Sequence, residues 1–176
     1  IDGNIGYIGL STFDEGCAKN IESYLEEFKG QNINSVIIDL RNNTGGIVTE
    51  AIDFAELFVK KGDVIMRSYN KTDKETVYKS SSKKTVDMKV GLLVNEYSAS
   101  ATEIVTAALK DNNIATVVGT RTYGKGVMQE VLPMFNGASA LKVTVEEFKT
   151  PNGDKINKVG ITPDIEVEDN LETDED

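Results

Sequence analysis

Ser35-Val-Ile-Ile-Asp-Leu40 runs straight into Arg41-Asn-Asn-Thr-Gly-Gly46, and Val48 to Val59 follows. The first segment is a short apolar run, the composition of a parallel strand buried on both faces. The second is a tight polar loop that ends in two glycines. The third places Val48, Ala51, Ile52, Ala55 and Phe58 on one helical face. Strand, loop and helix in this order form half of a βαβ unit.

The same grammar extends in both directions. Upstream, Ile5 to Phe13 is β-prone, and Glu15 to Lys29 reads as an amphipathic helix stopped by Gly30. Downstream, Gly62 ends the second helix and Val64 to Tyr69 resumes as strand. Residues 70–87 are polar, with Thr76-Val-Tyr78 as a candidate hairpin arm. Met88 to Asn95 reads as a buried strand, Ser100 to Lys110 as a helix and Ala115 to Gly119 as a strand. Val127 to Leu132, Ala140 to Phe148 and Ile165 to Val167 make the C-terminal part strand-rich, with Pro151-Asn-Gly153 as a turn. The expected fold is α/β, with a mostly parallel central sheet flanked by helices. The Gly45-Gly46 loop and Ser100 each follow a buried strand. They are expected at one end of the sheet, where α/β proteins place their clefts.

Composition narrows the function classes. The 176 residues are 39% hydrophobic and 27% charged, as in a soluble globular domain. No apolar run approaches the ~20 residues of a membrane span. The formal net charge of −10 disfavours nucleic acid and anionic membrane as partners. Much of the excess lies beyond Pro163 and ends in Glu172-Thr-Asp-Glu-Asp176. The expected division is therefore a core over residues 1–169 and a frayed acidic tail over 170–176. Cys17 is the single cysteine and falls on the helical face of Ile21, Tyr24, Leu25 and Phe28, so it reads as a structural thiol. With no histidine and one cysteine, no metal site is expected.

The lack of histidine also removes every Ser-His-Asp and Cys-His mechanism. A serine nucleophile would need another base, and lysine is the attested alternative. Ser100 lies in Asn95-Glu-Tyr-Ser-Ala-Ser-Ala-Thr-Glu103, and Lys125 in Gly124-Lys-Gly-Val-Met-Gln129. At a helix start, the Ala101 N–H has no partner within the helix and favours negative charge. Gly45 and Gly46 lack side chains, so a second N–H can approach. Ser100-Ala-Thr-Glu103 is equally a capping box, and Ser98 competes within the same loop. A lysine base must be neutral. An ordinary lysine is neutral in about one molecule in 2,500 at pH 7, and burial raises that fraction. Gly124 and Gly126 permit close packing, Tyr123, Val127 and Met128 are apolar neighbours, and Gln129 offers a neutral hydrogen bond. Gly119 to Lys125 matches G-x-x-x-x-G-K, but Gly126 stands where a phosphate-binding loop needs Ser or Thr. Ser80 to Lys84 contains S-x-x-K in a polar stretch without helical periodicity.

These segments together resemble the protease core of the C-terminal processing peptidases, or tail-specific proteases. Asp39 to Gly46 is similar to their D-L-R-x-N-x-G-G loop, and Asn95 to Glu103 to their N-x-x-S-A-S-A-x-E segment. Val118 to Gln129 is similar to V-G-x-x-T-x-G-K-G-x-x-Q. Thr150-Pro-Asn-Gly153 and Gly160-Ile-Thr-Pro-Asp164 match two further signatures. The resemblance implies a crotonase/Clp-like core that hydrolyses peptide bonds through an acyl-enzyme, without metal or cofactor. It implies Ser100 as nucleophile, Lys125 as general base and Gln129 as its positioner. The N–H groups of Gly46 and Ala101 would form the oxyanion hole beside Gly45, and Asp111 would support the fold. Implied substrates are proteins or peptides with accessible C-termini, met outside the cytoplasm. Family members usually add a PDZ domain and an export or anchoring segment. Neither finds room in these 176 residues, so an isolated catalytic core is expected. A non-catalytic peptide-binding core is the alternative.

Overall fold

The apolar runs around Val36-Ile-Ile38 and Val90 to Val94 lie side by side at the centre of the computed structural model, which describes residues 4–134 and 139–168. They belong to β2 (Ser35–Asp39) and β5 (Lys89–Val94). On one side of this pair is β1 (Ile5–Gly9), and on the other are β6 (Ala115–Gly119) and β9 (Ile165–Glu166). Every pairing in this five-stranded sheet is parallel. Parallel neighbours need crossovers. These contain α1 (Cys17–Gly30), α2 (Val48–Glu56) and α3 (Ala101–Asp111), packed in succession against one another. Residues 101–109 of α3 are buried throughout, so this helix forms the interior of the domain.

A second, antiparallel sheet has the order β4-β3-β8-β7. It joins β3 (Val64–Asn70) and β4 (Glu75–Lys79) to β7 (Val127–Pro133) and β8 (Ala140–Lys149). The strand-rich C-terminal part thus splits, with β9 completing the parallel sheet and β7 and β8 pairing with the earlier hairpin. The candidate arm at Thr76 to Tyr78 forms the middle of β4.

Several boundaries differ from expectation, among them the end of α2, at Glu56 and not Val59. The first strand ends at Gly9, not Phe13. The chain leaves the sheet because the Phe13 ring, with no exposed surface, packs edge-on to Phe54 at 5.8 Å. Gly30 remains helical, and the left-handed residue that ends α1 is Asn32, at φ 61°. The start of α1 shifts from Glu15 to Cys17, where Glu50 of α2 accepts the Gly16 and Ala18 N–H groups at 2.8 and 3.2 Å. On the face predicted for Cys17, Ile21 and Leu25 are buried but Tyr24 is 53% exposed. Burial, with Glu50 nearby, pushes the Cys17 thiol up to about 11, as expected of a structural residue. No described helix is long and apolar enough to cross a membrane. The expected acidic tail at 170–176 lies outside the described residues.

Candidate active site

β2 and β5 are adjacent and parallel, so the loops that follow them leave the sheet at the same end. Backbone and small polar groups stitch these loops together. Ala99 N–H donates to the Asn43 carbonyl at 3.0 Å, and Asn42 N–H to Asn95 Oδ1 at 2.9 Å. Asn43 is completely buried and shapes the glycine loop from inside. Its amide donates to the Leu10 carbonyl and its oxygen accepts the Gly45 N–H, both at 2.9 Å. Gly45 has φ 102°, and a Cβ there would stand 2.9 Å from Ser100 Cβ and 3.0 Å from Ala101 N. The glycine is therefore required both by its conformation and by its contact with the serine loop. Gly46, at φ 146°, backs onto Phe13 in the same manner. Among the described residues, neither the Gly46 N–H nor the Ala101 N–H has a hydrogen-bond acceptor.

Ser98 and Ser100 have different environments. Ser98 is fully buried, its hydroxyl donating to the Leu40 carbonyl at 2.8 Å and accepting the Asn95 N–H at 3.0 Å. Its hydrogen-bonding capacity is spent on structure. Ser100 caps α3 at φ 58° and ψ −117°, a region that non-glycine residues occupy only at a cost of about 1–3 kcal/mol. It is partly exposed and lines a cleft of about 720 Å³ that also contains Gly46, Lys125, Val127, Met128 and Gln129. The capping box is present as well, so capping and display in the cleft coexist at Ser100.

Glu103 does more than complete that box. It has no exposed surface, and its carboxylate accepts four hydrogen bonds. Oε2 takes the Ser100 N–H at 2.9 Å and the Lys125 N–H at 2.8 Å. Oε1 takes the Gly124 N–H at 2.7 Å and the Thr122 hydroxyl at 2.6 Å. One buried anion thus fastens the serine loop to the lysine loop, and Tyr123 N–H adds a direct link to the Ser98 carbonyl at 3.0 Å. The signal was available in the sequence: Glu103 is the one charged residue between Ser100 and Leu109, within an otherwise apolar and hydroxyl-bearing helix.

Lys125 is half-buried, between two glycines packed on neighbouring backbone. A Cβ at Gly126 would collide with Asn157, and one at Gly124 would stand 3.0 Å from Gly160 N. Val127 and Met128 line the cleft, whereas Tyr123 is 65% exposed and does not cover the lysine. Among the described residues, no hydrogen bond joins Ser100 Oγ to Lys125 Nζ. Gln129 shares the cleft, and its amide donates to Thr144 Oγ1 at 3.5 Å rather than to the lysine. Asp111 lies at the other end of α3, about 16 Å along the axis from Ser100 at ~1.5 Å per residue. Its carboxylate accepts the Asn152 N–H at 3.0 Å, holding the Pro151 turn.

Asp39 buttresses the glycine loop from below. Burial pushes its carboxyl up, but hydrogen bonds from Arg41 and Tyr7 outweigh this and hold it below its ordinary value. The Arg41 guanidinium reaches Oδ2 at 2.7 Å, and the Tyr7 hydroxyl reaches it at 2.7 Å. The strand order β1-β2-β5-β6-β9 never reverses, so there is no switch-point crevice. The cleft is instead walled by the second sheet, through Asn70, Tyr78, Val145 and Glu146. No group of acidic, Cys or His side chains suited to a metal occurs among the described residues.

The fold of this αβ core is that of a peptidase family. The sequence pattern of Peptidase family S41 matches residues 4–167, and the chain belongs to that family. It is 38% identical over 167 residues to a "Probable CtpA-like serine protease" of Staphylococcus epidermidis, covering 94% of this chain and 34% of that protein. It is 39% identical over 162 residues to "Carboxyl-terminal-processing peptidase 2, chloroplastic" of Arabidopsis thaliana, covering 91% and 31%. Among solved structures, the "Photosystem II D1 C-terminal processing protease" superposes with a TM-score of 0.85 at 30% identity, covering 93% of this chain and 42% of that one. The chain spans about a third of the length of the curated relatives it matches.

Proposed function

We propose that this chain is the catalytic core of a serine endopeptidase that uses Ser100 and Lys125. The observation that carries the reading is their convergence on one cleft, with both loops held by Glu103. In the reaction, Lys125 Nζ takes the Ser100 proton as Oγ forms a bond to the substrate carbonyl carbon. The Gly46 and Ala101 N–H groups, which have no acceptor of their own among the described residues, stabilise the oxyanion. Collapse breaks the C–N bond, and the lysine returns the proton to the departing amine. Water then attacks the acyl-enzyme, giving a proton to Lys125, and Oγ leaves with that proton restored. Gln129 orients the amine through a neutral hydrogen bond, which would not hold the proton on it.

No hydrogen bond joins Ser100 Oγ to Lys125 Nζ among the described residues, which fits a resting state, and the working state brings them within about 2.6–3.2 Å. Substrates are proteins recognised near their C-termini, and the parent protein acts outside the cytoplasm, as the resemblance implies. The test is cleavage by the intact parent together with labelling by a fluorophosphonate. Ser100→Ala and Lys125→Ala should each abolish both without unfolding the domain. Full activity in either variant would overturn the assignment. Absence of labelling in the intact wild type would favour a non-catalytic peptide-binding core.

A further inference from the structure

The cleft contains a carboxylate that the reaction above leaves unused. Neighbouring residues on a regular strand face opposite sides of the sheet. On β8 that alternation breaks, because Met128 pairs with Glu146 while the next residue, Gln129, pairs with Thr144. Val145 is the extra residue of a bulge, a device that re-aims side chains. Both Val145 and Glu146, at this bulge, line the cleft that holds Ser100 and Lys125.

Among the described residues, none is a hydrogen-bond or ion-pair partner of Glu146. Its Oε2 is shielded from water and accepts no hydrogen bond. Among the described residues it forms no ion pair, although Lys125 and Lys142 line the same cleft. The contrast with its neighbours is direct. Glu147 pairs with Lys155 at 3.7 Å, and Glu103 takes four donors. A shielded carboxylate oxygen without a donor is costly, so it points to a donor that arrives from outside. The cleft's charged lining is Glu130 and Glu146 against Lys125 and Lys142. When Lys125 is neutral and acting as base, two carboxylates face one ammonium, and the cleft favours a cation.

We propose that Glu146 determines specificity by receiving a lysine or arginine side chain of the substrate polypeptide, close to the bond presented to Ser100. This rests on reading the cleft as a peptidase site. A charge-assisted hydrogen bond to Glu146 would satisfy the orphaned oxygen. A substrate without the donor would leave it unsatisfied and be rejected.

The test scans lysine against norleucine at each position flanking the cut in peptide substrates of the intact parent. Wild type should favour lysine at one position by roughly 10- to 100-fold in kcat/KM, the range of a hydrogen bond to a charged group. Glu146→Gln should bring that ratio to about one, and Glu146→Lys should shift the preference to glutamate. A wild type with no basic preference, or a Glu146→Gln variant that keeps it, overturns the proposal. Binding of the same peptide pairs to Ser100→Ala, read by fluorescence anisotropy, gives a measure independent of turnover. A protein that cuts nothing yet binds the lysine peptide more tightly, through Glu146, overturns the peptidase reading alone. A protein that cuts neutral and basic peptides equally overturns the Glu146 proposal alone.

Discussion

Glu103→Gln preserves shape and removes one charge, at the point where two loops meet. In the native protein each carboxylate oxygen accepts two donors. A carboxamide keeps one oxygen and presents an NH2 in place of the other. With the NH2 toward Ser100 and Lys125, two N–H donors face a donor; turned the other way, only the Gly124 N–H does, because the Thr122 hydroxyl can rotate to accept. Hydrogen bonds to a charged group contribute about 1.5–3 kcal/mol each, so the loss is about 1.5–6 kcal/mol. That is a large part of the 5–15 kcal/mol typical of a domain. Urea unfolding followed by circular dichroism reads the stability. Fluorophosphonate labelling of Ser100, measured below the unfolding transition, reads the site. Both should fall, because Ser100 N–H and Lys125 N–H lose the charged acceptor they share. Glu22→Gln, on the exposed side of α1, is the control and should change stability by less than about 0.5 kcal/mol. A Glu103→Gln protein within about 1 kcal/mol of wild type, with labelling intact, would refute the view that this carboxylate holds the site together.

Gly45→Ala puts a methyl at φ 102° against Ala99 O, Ser100 Cβ and Ala101 N, so it should cost about 1–3 kcal/mol and sharply slow labelling, measured by the same two assays. Asp39 has a carboxyl held below its ordinary value of 3.8. Its contribution to stability is full above that value and is lost as pH falls through the lower folded value. Asp39→Asn should therefore flatten the acid limb of a urea-midpoint profile below about pH 4. Cys17, buried and with its thiol pushed up to about 11, should react with a maleimide at pH 7.5 only once the protein is unfolded. Prompt labelling of the native protein would contradict its burial.

The parallel sheet was legible because β2, β5 and β6 are short apolar runs separated by helical periodicity. The adjacency of the Gly45-Gly46 loop and Ser100 followed from the same pattern, since parallel strands leave their loops at one end. The second sheet was less legible. Its pairing of β3 with β8 joins residues some eighty positions apart, and no local signal encodes such a contact. The left-handed residue that stops α1 is Asn32, not Gly30, because asparagine also tolerates that conformation. Glu103 was readable as half of a capping box, but its partners at 122–125 come from another loop. The bulge at Val145, beside the cleft-lining Glu146, depends on cross-strand register and not on composition.

The lysine loop is also held by the segment that follows β8. Lys158 N–H donates to the Gly124 carbonyl at 2.7 Å, and Ile161 N–H donates to Thr122 Oγ1 at 2.7 Å. These anchors follow both loops in the sequence. A ribosome making this protein releases the serine loop first, the lysine loop next and the clamp on the lysine loop last. A nascent chain that ends before Lys158 therefore has Ser100 and Lys125 but no completed scaffold around them. Vectorial synthesis builds in a delay, so that a chain already carrying Ser100 and Lys125 gains the scaffold around them only once residues 158–161 have followed.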